Sequence, residues 1–168
     1  MASVWPRIDA AGEAGERAAL EAFLDDYRAA VVRKAGGVSD EGARRRLVPS
    51  ATTVGGIVKH LRWVELGWFQ TGLAQRPDAE LPPRPATDDE EFDLGPGETL
   101  AAVIAEYEAE CARSRGTAAG YSLDDTFPEE DMGRCSLRWL YLHMIEETAR
   151  HVGHLDILRE QTDGTVGD

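Results

Sequence analysis

Apolar residues return every three or four positions along residues 11–34: Leu20, Phe23, Leu24, Tyr27 and Val31. That period predicts a helix, and Gly36-Gly37 ends it. Ser39-Asp40-Glu41 suits one short helical turn before Pro49. Ser50 or Thr52 then reads as the N-cap of a second long helix, with Val54, Ile57, Val58, Leu61, Val64, Leu66 and Phe69 on a wide apolar face. Two glycines near its start, Gly55 and Gly56, are poor helix formers. They either admit the close approach of another helix or lie in a frayed first turn.

The period vanishes over residues 76–97, which hold Pro77, Pro82, Pro83, Pro85 and Pro96 and an acidic run, 88–91. This stretch reads as a long loop wrapping the molecule, and loops of that length tend to be functional or mobile. A third helix opens near Gly97-Glu98-Thr99, carries Leu100, Val103, Ile104 and Tyr107, continues through Cys111 and fades over 116–120. An acidic loop with Pro128 spans 121–133. The last helix covers 136–161, with Leu137, Leu140, Tyr141, Met144, Ile145, Val152, Leu155 and Leu158, and stops at Asp163-Gly164. No convincing strand and no internal repeat is visible. Four long helices without a sheet predict an all-α four-helix bundle, in one domain spanning 1–168.

The candidate chemistry lies on the second and last helices, which hold all four histidines. At about 100° per residue, His143, Glu147, His151 and His154 fall within roughly 80° of arc on the last helix. That stripe is flanked by residues expected to face the core. A carboxylate there costs several kcal/mol to desolvate unless it is compensated, and a divalent cation compensates it. Glu147 and His151, four apart, project over the same turn and can hold one ion. His60, set among Ile57, Val58, Leu61 and Val64, supplies a third ligand from the second helix. Such a facial set leaves coordination positions open for water or substrate. The plainer reading makes His60 a satisfied core histidine and Glu147–His151 a simple hydrogen bond. On spacing alone His143 or His154 could replace a member of the trio; otherwise they surround it, orienting a ligand or holding a substrate group.

Composition narrows the field. Eighteen Lys and Arg against 31 Asp and Glu give a net charge of −13, which argues against nucleic acid and anionic membrane surfaces as partners. Residues 1–10 carry Arg7 and Asp9 without an apolar stretch, so no signal peptide is expected. No window suits a membrane span, and a cytoplasmic location follows as the expectation. Cys111 and Cys135, without CxxC spacing, read as buried thiols in a reducing compartment. Trp63, Trp68 and Trp139 read as core or interface aromatics, with a substrate-pocket lining as the functional alternative. Arg62 and Arg150 suit solvated faces or a carboxylate-bearing ligand. The acidic residues Asp124, Asp125, Glu129, Glu130 and Asp131 lack the calcium-loop pattern.

Two segments carry a family resemblance: Thr53-Val54-Gly55-Gly56-Ile57-Val58-Lys59-His60-Leu61 and the run from Ser136-Leu137-Arg138-Trp139-Leu140 through His143-Met144-Ile145-Glu146-Glu147-Thr148-Ala149-Arg150-His151-Val152-Gly153-His154. The chain resembles the DinB-like superfamily of metal-binding four-helix bundles over nearly its whole length. Members typically place one His on helix two and a His-x-x-x-His pair on helix four; here Glu147 stands at the first position of that pair. A similar His, Glu, His set occurs in the mycothiol-dependent maleylpyruvate isomerases, whose amino-terminal domain is of this superfamily. The resemblance implies metal ligation by His60, Glu147 and His151, with zinc the usual ion. Nickel, manganese and iron also accept the set. It further implies activation of a low-molecular-weight thiol, mycothiol in actinobacteria, for attack on a small electrophile, and a homodimer as the common assembly. Isomerase activity is not expected, because those enzymes carry a further carboxy-terminal domain and this sequence stops soon after the fourth helix.

The leading expectation is therefore a metal-dependent thiol S-transferase, with the thiol proton passing to solvent, His143 or His154. A metal-dependent hydrolase using activated water and a non-catalytic small-ligand-binding bundle are the alternatives.

Overall fold

A computed structural model describes Ile8 and residues 11–167; the segment read as lacking a signal peptide lies largely outside the described residues. The described residues include the α-helices α1 (Glu16–Ala35), α2 (Asp40–Arg44), α3 (Val54–Glu65), α4 (Asp88–Glu91), α5 (Leu100–Ala118) and α6 (Leu137–Asp163). The four long ones form the bundle: α1 lies along α6, α3 lies along α5, and α3 also touches α6 and α1. The all-α fold expected from the sequence is the fold observed. Among the described residues no helix is long and apolar enough to cross a membrane.

Helix ends follow local chemistry. Ser39, Thr99 and Ser136 cap α2, α5 and α6, each accepting a backbone N–H three residues on. Gly164 adopts a left-handed conformation, φ 79°, and ends α6. The cap of α3 is neither Ser50 nor Thr52 but Thr53, whose hydroxyl accepts from Gly56 N at 3.0 Å.

Two elements were not anticipated. Residues 126–136 form an antiparallel hairpin, β1 (Thr126–Glu129) and β2 (Gly133–Ser136), where the sequence suggested only a loop. Phe127 and Cys135 face each other across it, and both are buried against one end of the core. Gly133, φ 76°, turns the hairpin, and Glu129 accepts the N–H groups of Asp131 and Met132 at 2.9 Å. The second element is a π-helix, Leu66–Leu73, which continues α3 directly.

The core has two apolar halves. One gathers Val31, Ile57, Val58, Leu61, Val103, Tyr107, Leu155 and Leu158, and the other Leu24, Phe69, Leu140, Tyr141 and Met144. Between them lies a buried ion pair. Arg28 donates from Nε and Nη2 to the two Glu65 carboxylate oxygens, both at 2.7 Å, and from Nη1 to Asp25 at 3.0 Å. Arg28 therefore lies on the inner face of α1, whereas Phe23, expected there, is 38% exposed.

Removing one partner from a sealed ion pair strands the other charge, at a cost of about 3–5 kcal/mol. Arg28→Met alone should lower unfolding free energy by about that amount in denaturant titrations. Adding Glu65→Leu should restore most of it, because two apolar groups need no pairing. A single-variant loss below about 1 kcal/mol would mean that the pair is not held in this geometry.

Candidate metal centre

α3 and α6 pack with His60 on one and Glu147 and His151 on the other. His151 Nε2 lies 3.1 Å from Glu147 Oε1, and His60 Nε2 lies 3.4 Å from the same oxygen. One ligand atom from each residue falls within 4.8 Å of the other two, and among the described residues no other such group of His, Cys, Asp and Glu occurs. The trio nominated by the sequence thus meets in space. His151 is buried; His60 and Glu147 are partly buried.

The donor set suits a divalent ion. Nitrogen and oxygen ligands about 2.0–2.2 Å from a tetrahedral zinc stand roughly 3.3 Å apart, close to the two Glu–His separations. His60 sharpens the point, because its Nδ1 lies 3.2 Å from Glu91 Oε2. A neutral ring donating to Glu91 from Nδ1 turns the Nε2 lone pair toward the oxygen of Glu147. Two acceptors facing each other need a cation between them: a proton, or a metal that displaces it. His151 Nδ1 is buried without a hydrogen-bond partner, a cost that a strong interaction at Nε2 would offset. The three side chains could therefore hold a metal ion.

The surroundings divide the remaining histidines. The exposed His154 ring meets the edge of His151 at 5.4 Å between centroids. His143 lies flat on Trp139 (5.1 Å, 7°) and tilted against Trp68 (4.6 Å). Trp63 and Trp68 line a cleft of about 410 Å³ with Gly67, Arg84, Glu91 and Phe127, so the cleft borders the His60 partner. Arg62 stacks on Trp63 at 4.5 Å and pairs with Glu106, while Arg150 pairs with Glu146 and Glu147. Both cysteines are free and buried, and burial pushes the Cys111 thiol far above its ordinary value. Neither has the character of an activated nucleophile. Sequence reasoning missed Glu91, which it left in the acidic run of the long loop wrapping the molecule. Only its place 31 residues from His60 in the folded chain reveals it.

A family model described as mycothiol S-transferase matches residues 19–164. The chain belongs to the mycothiol S-transferase family. The match takes in both halves of the bundle and all three converging side chains. No curated protein matches the chain.

This mycothiol S-transferase family member holds Glu147 well below the usual carboxylate range, through its hydrogen bonds with His151 and then His60, against the opposing effect of burial. A carboxylate depressed on folding stabilises the fold above its unfolded value and loses that contribution as pH falls toward the folded one. Metal-free wild type should therefore out-melt Glu147→Gln at pH 7, and the gap should narrow below pH 4.5, the ordinary glutamate value. A gap independent of pH would show that the carboxylate is not charged in this network.

Proposed function

We propose that the chain is a metal-dependent thiol S-transferase that joins mycothiol to a small electrophile. The reading rests on one observation above others, the convergence of His60 Nε2, Glu147 Oε1 and His151 Nε2, in a chain of the mycothiol S-transferase family. When bound there, a divalent ion, zinc by preference and nickel as the alternative, lowers the pKa of a thiol it coordinates and supplies a thiolate at neutral pH.

The chain's own groups do the rest. Glu147 remains ionised and would offset one of the two charges of a bound ion, which three neutral imidazoles would not. His154, exposed beside His151, accepts the thiol proton and passes it to water. His143, stacked between Trp139 and Trp68, holds a substrate group at the wall of the adjoining cleft. The electrophile lodges in that cleft, against Trp63 and Trp68. One domain, a cytoplasmic location and a homodimer complete the proposal.

The test is metal content and thiol consumption measured together on untagged protein. Wild type should hold near one equivalent of metal, and His60→Ala, Glu147→Ala and His151→Ala should each lose it. Wild type should consume mycothiol with an electrophile such as a chlorobimane or a chlorodinitrobenzene, forming the C–S bond as chloride leaves, and chelation should abolish the reaction. His154→Ala should keep the metal but lower kcat by about 10²-fold or more, the usual worth of a proton acceptor. Substrate turnover without thiol consumption would replace transfer with hydrolysis. Absence of metal after reconstitution would sink the scheme.

A further inference from the structure

His60 is held at both ring nitrogens, and the outer hold comes from a segment foreign to the bundle. α4 and the residues after it, 92–95, run as a strap across the first turns of α3. Glu91 Oε2 meets Nδ1 of His60 at 3.2 Å, and the Phe92 ring lies on the imidazole at 4.2 Å and 17°. Neither contact is a loose surface pairing, since the Glu91 side chain is 20% exposed and that of His60 16%.

The strap is seated by small residues and one lysine. A Cβ on Gly56 would overlap the carbonyl of Phe92, and one on Gly55 would overlap the side chain of Leu94. The glycine pair that weakens the start of α3 therefore makes room for the strap, Gly56 for its backbone and Gly55 for the Leu94 side chain. Lys59, next to His60 in sequence, donates to Asp93 O at 2.7 Å and to Glu98 Oε2 at 2.8 Å, and Glu98 Oε2 also accepts Gly95 N at 2.6 Å. The strap is thus tied to the same turn of α3 that carries the ligand.

We propose that Glu91 is a positioning residue of the metal centre: it accepts the Nδ1–H of His60, fixes the tautomer and turns the Nε2 lone pair toward Glu147 and His151. A carboxylate behind a ligating imidazole also raises its basicity, and loss of such a partner typically costs 10–100-fold in metal affinity. Because Nδ1 and Nε2 lie on opposite sides of the ring, Glu91 acts through His60 and not as a fourth ligand. This inference rests on the reading that His60 binds the ion.

The experiment is a chelator-competition titration of zinc into full-length protein, paired with visible spectra of the cobalt(II) form. Glu91→Gln should weaken zinc binding 10–100-fold and alter the cobalt d–d bands, while Glu91→Asp should recover part of both. Gly56→Ala, which unseats the strap without touching a ligand or Glu91, should reproduce the Glu91→Gln affinity and spectrum. Thermal melts confirm that each variant is folded; an unfolded Gly56→Ala leaves Glu91→Gln and Glu91→Asp to decide. Unchanged affinity and spectrum in Glu91→Gln, with wild type binding zinc, would overturn the role of Glu91 alone. A wild type that binds no zinc would overturn the metal reading and this inference together.

Discussion

A guanidinium and a carboxylate joined by two 2.7 Å hydrogen bonds and sealed from water set the register of α1 against α3. Such a pair contributes little net stability, because desolvation cancels most of the attraction. Its strength lies in what it forbids. A slide of either helix by one turn would strand a charge in an apolar core, at a cost that no alternative packing there can offset. Glu65 is five residues beyond His60, about 140° around the helix. Fixing one therefore aims the other, and His60 faces α6 where Glu147 and His151 wait. α3 is pinned by polar contacts on two sides, and its apolar face fills the space between.

The same helix changes character immediately after Glu65. A π-helix over Leu66–Leu73 spends more residues per turn than an α-helix. Phe69 and Leu73 reach the second half of the core, and Trp68 turns outward against His143 and Trp139. Gly67 and Gly72 sit on the cleft wall, where Gly72 leaves ordinary contact distance to Phe127 of the hairpin. Two irregular elements, one helical and one extended, thus shape the same side of the molecule, next to the residues proposed to bind substrate.

What the sequence made legible follows from which signals are local. The stripe of α6 repeats its apolar residues over seven turns, so the helix, its stop at Gly164 and the crowding of His143, Glu147, His151 and His154 could be read directly. His60 stood out as a lone imidazole on an apolar face. Arg28 and Glu65 did not, because charged residues are assigned to solvent by default and their partnership spans 37 positions. The hairpin escaped for a similar reason: Pro128 and the acidic residues around it carry turn signals, and only the pairing of Phe127 with Cys135 over the core justifies strands there. Thr53 displaced Ser50 and Thr52 as the cap because capping is decided by backbone geometry, not by residue type, when three candidates stand together. The two glycines do admit a close approach, Gly55 to the Leu94 side chain and the Ala43 carbonyl of α2 and Gly56 to the Phe92 backbone, and nothing near them in sequence names these neighbours.

With a metal bound as proposed, the strap would give the site a property that three ligands on two rigid helices would lack. Glu91 meets His60 from a segment seated on Gly55, Gly56 and Lys59, so on the proposed role of Glu91 seating and metal affinity would share one free energy. By linkage, whatever favours the seated strap raises the affinity of the site, and an occupied site favours the seated strap by the same factor. Glu91 also lines the cleft proposed for the electrophile. On that proposal a molecule that entered the cleft and pressed on Glu91 would act on His60 through a single hydrogen bond, without touching the ion. Coupling of this kind needs no hinge and no change of fold. It needs only a ligand whose second nitrogen is held by a part of the chain that the substrate also meets.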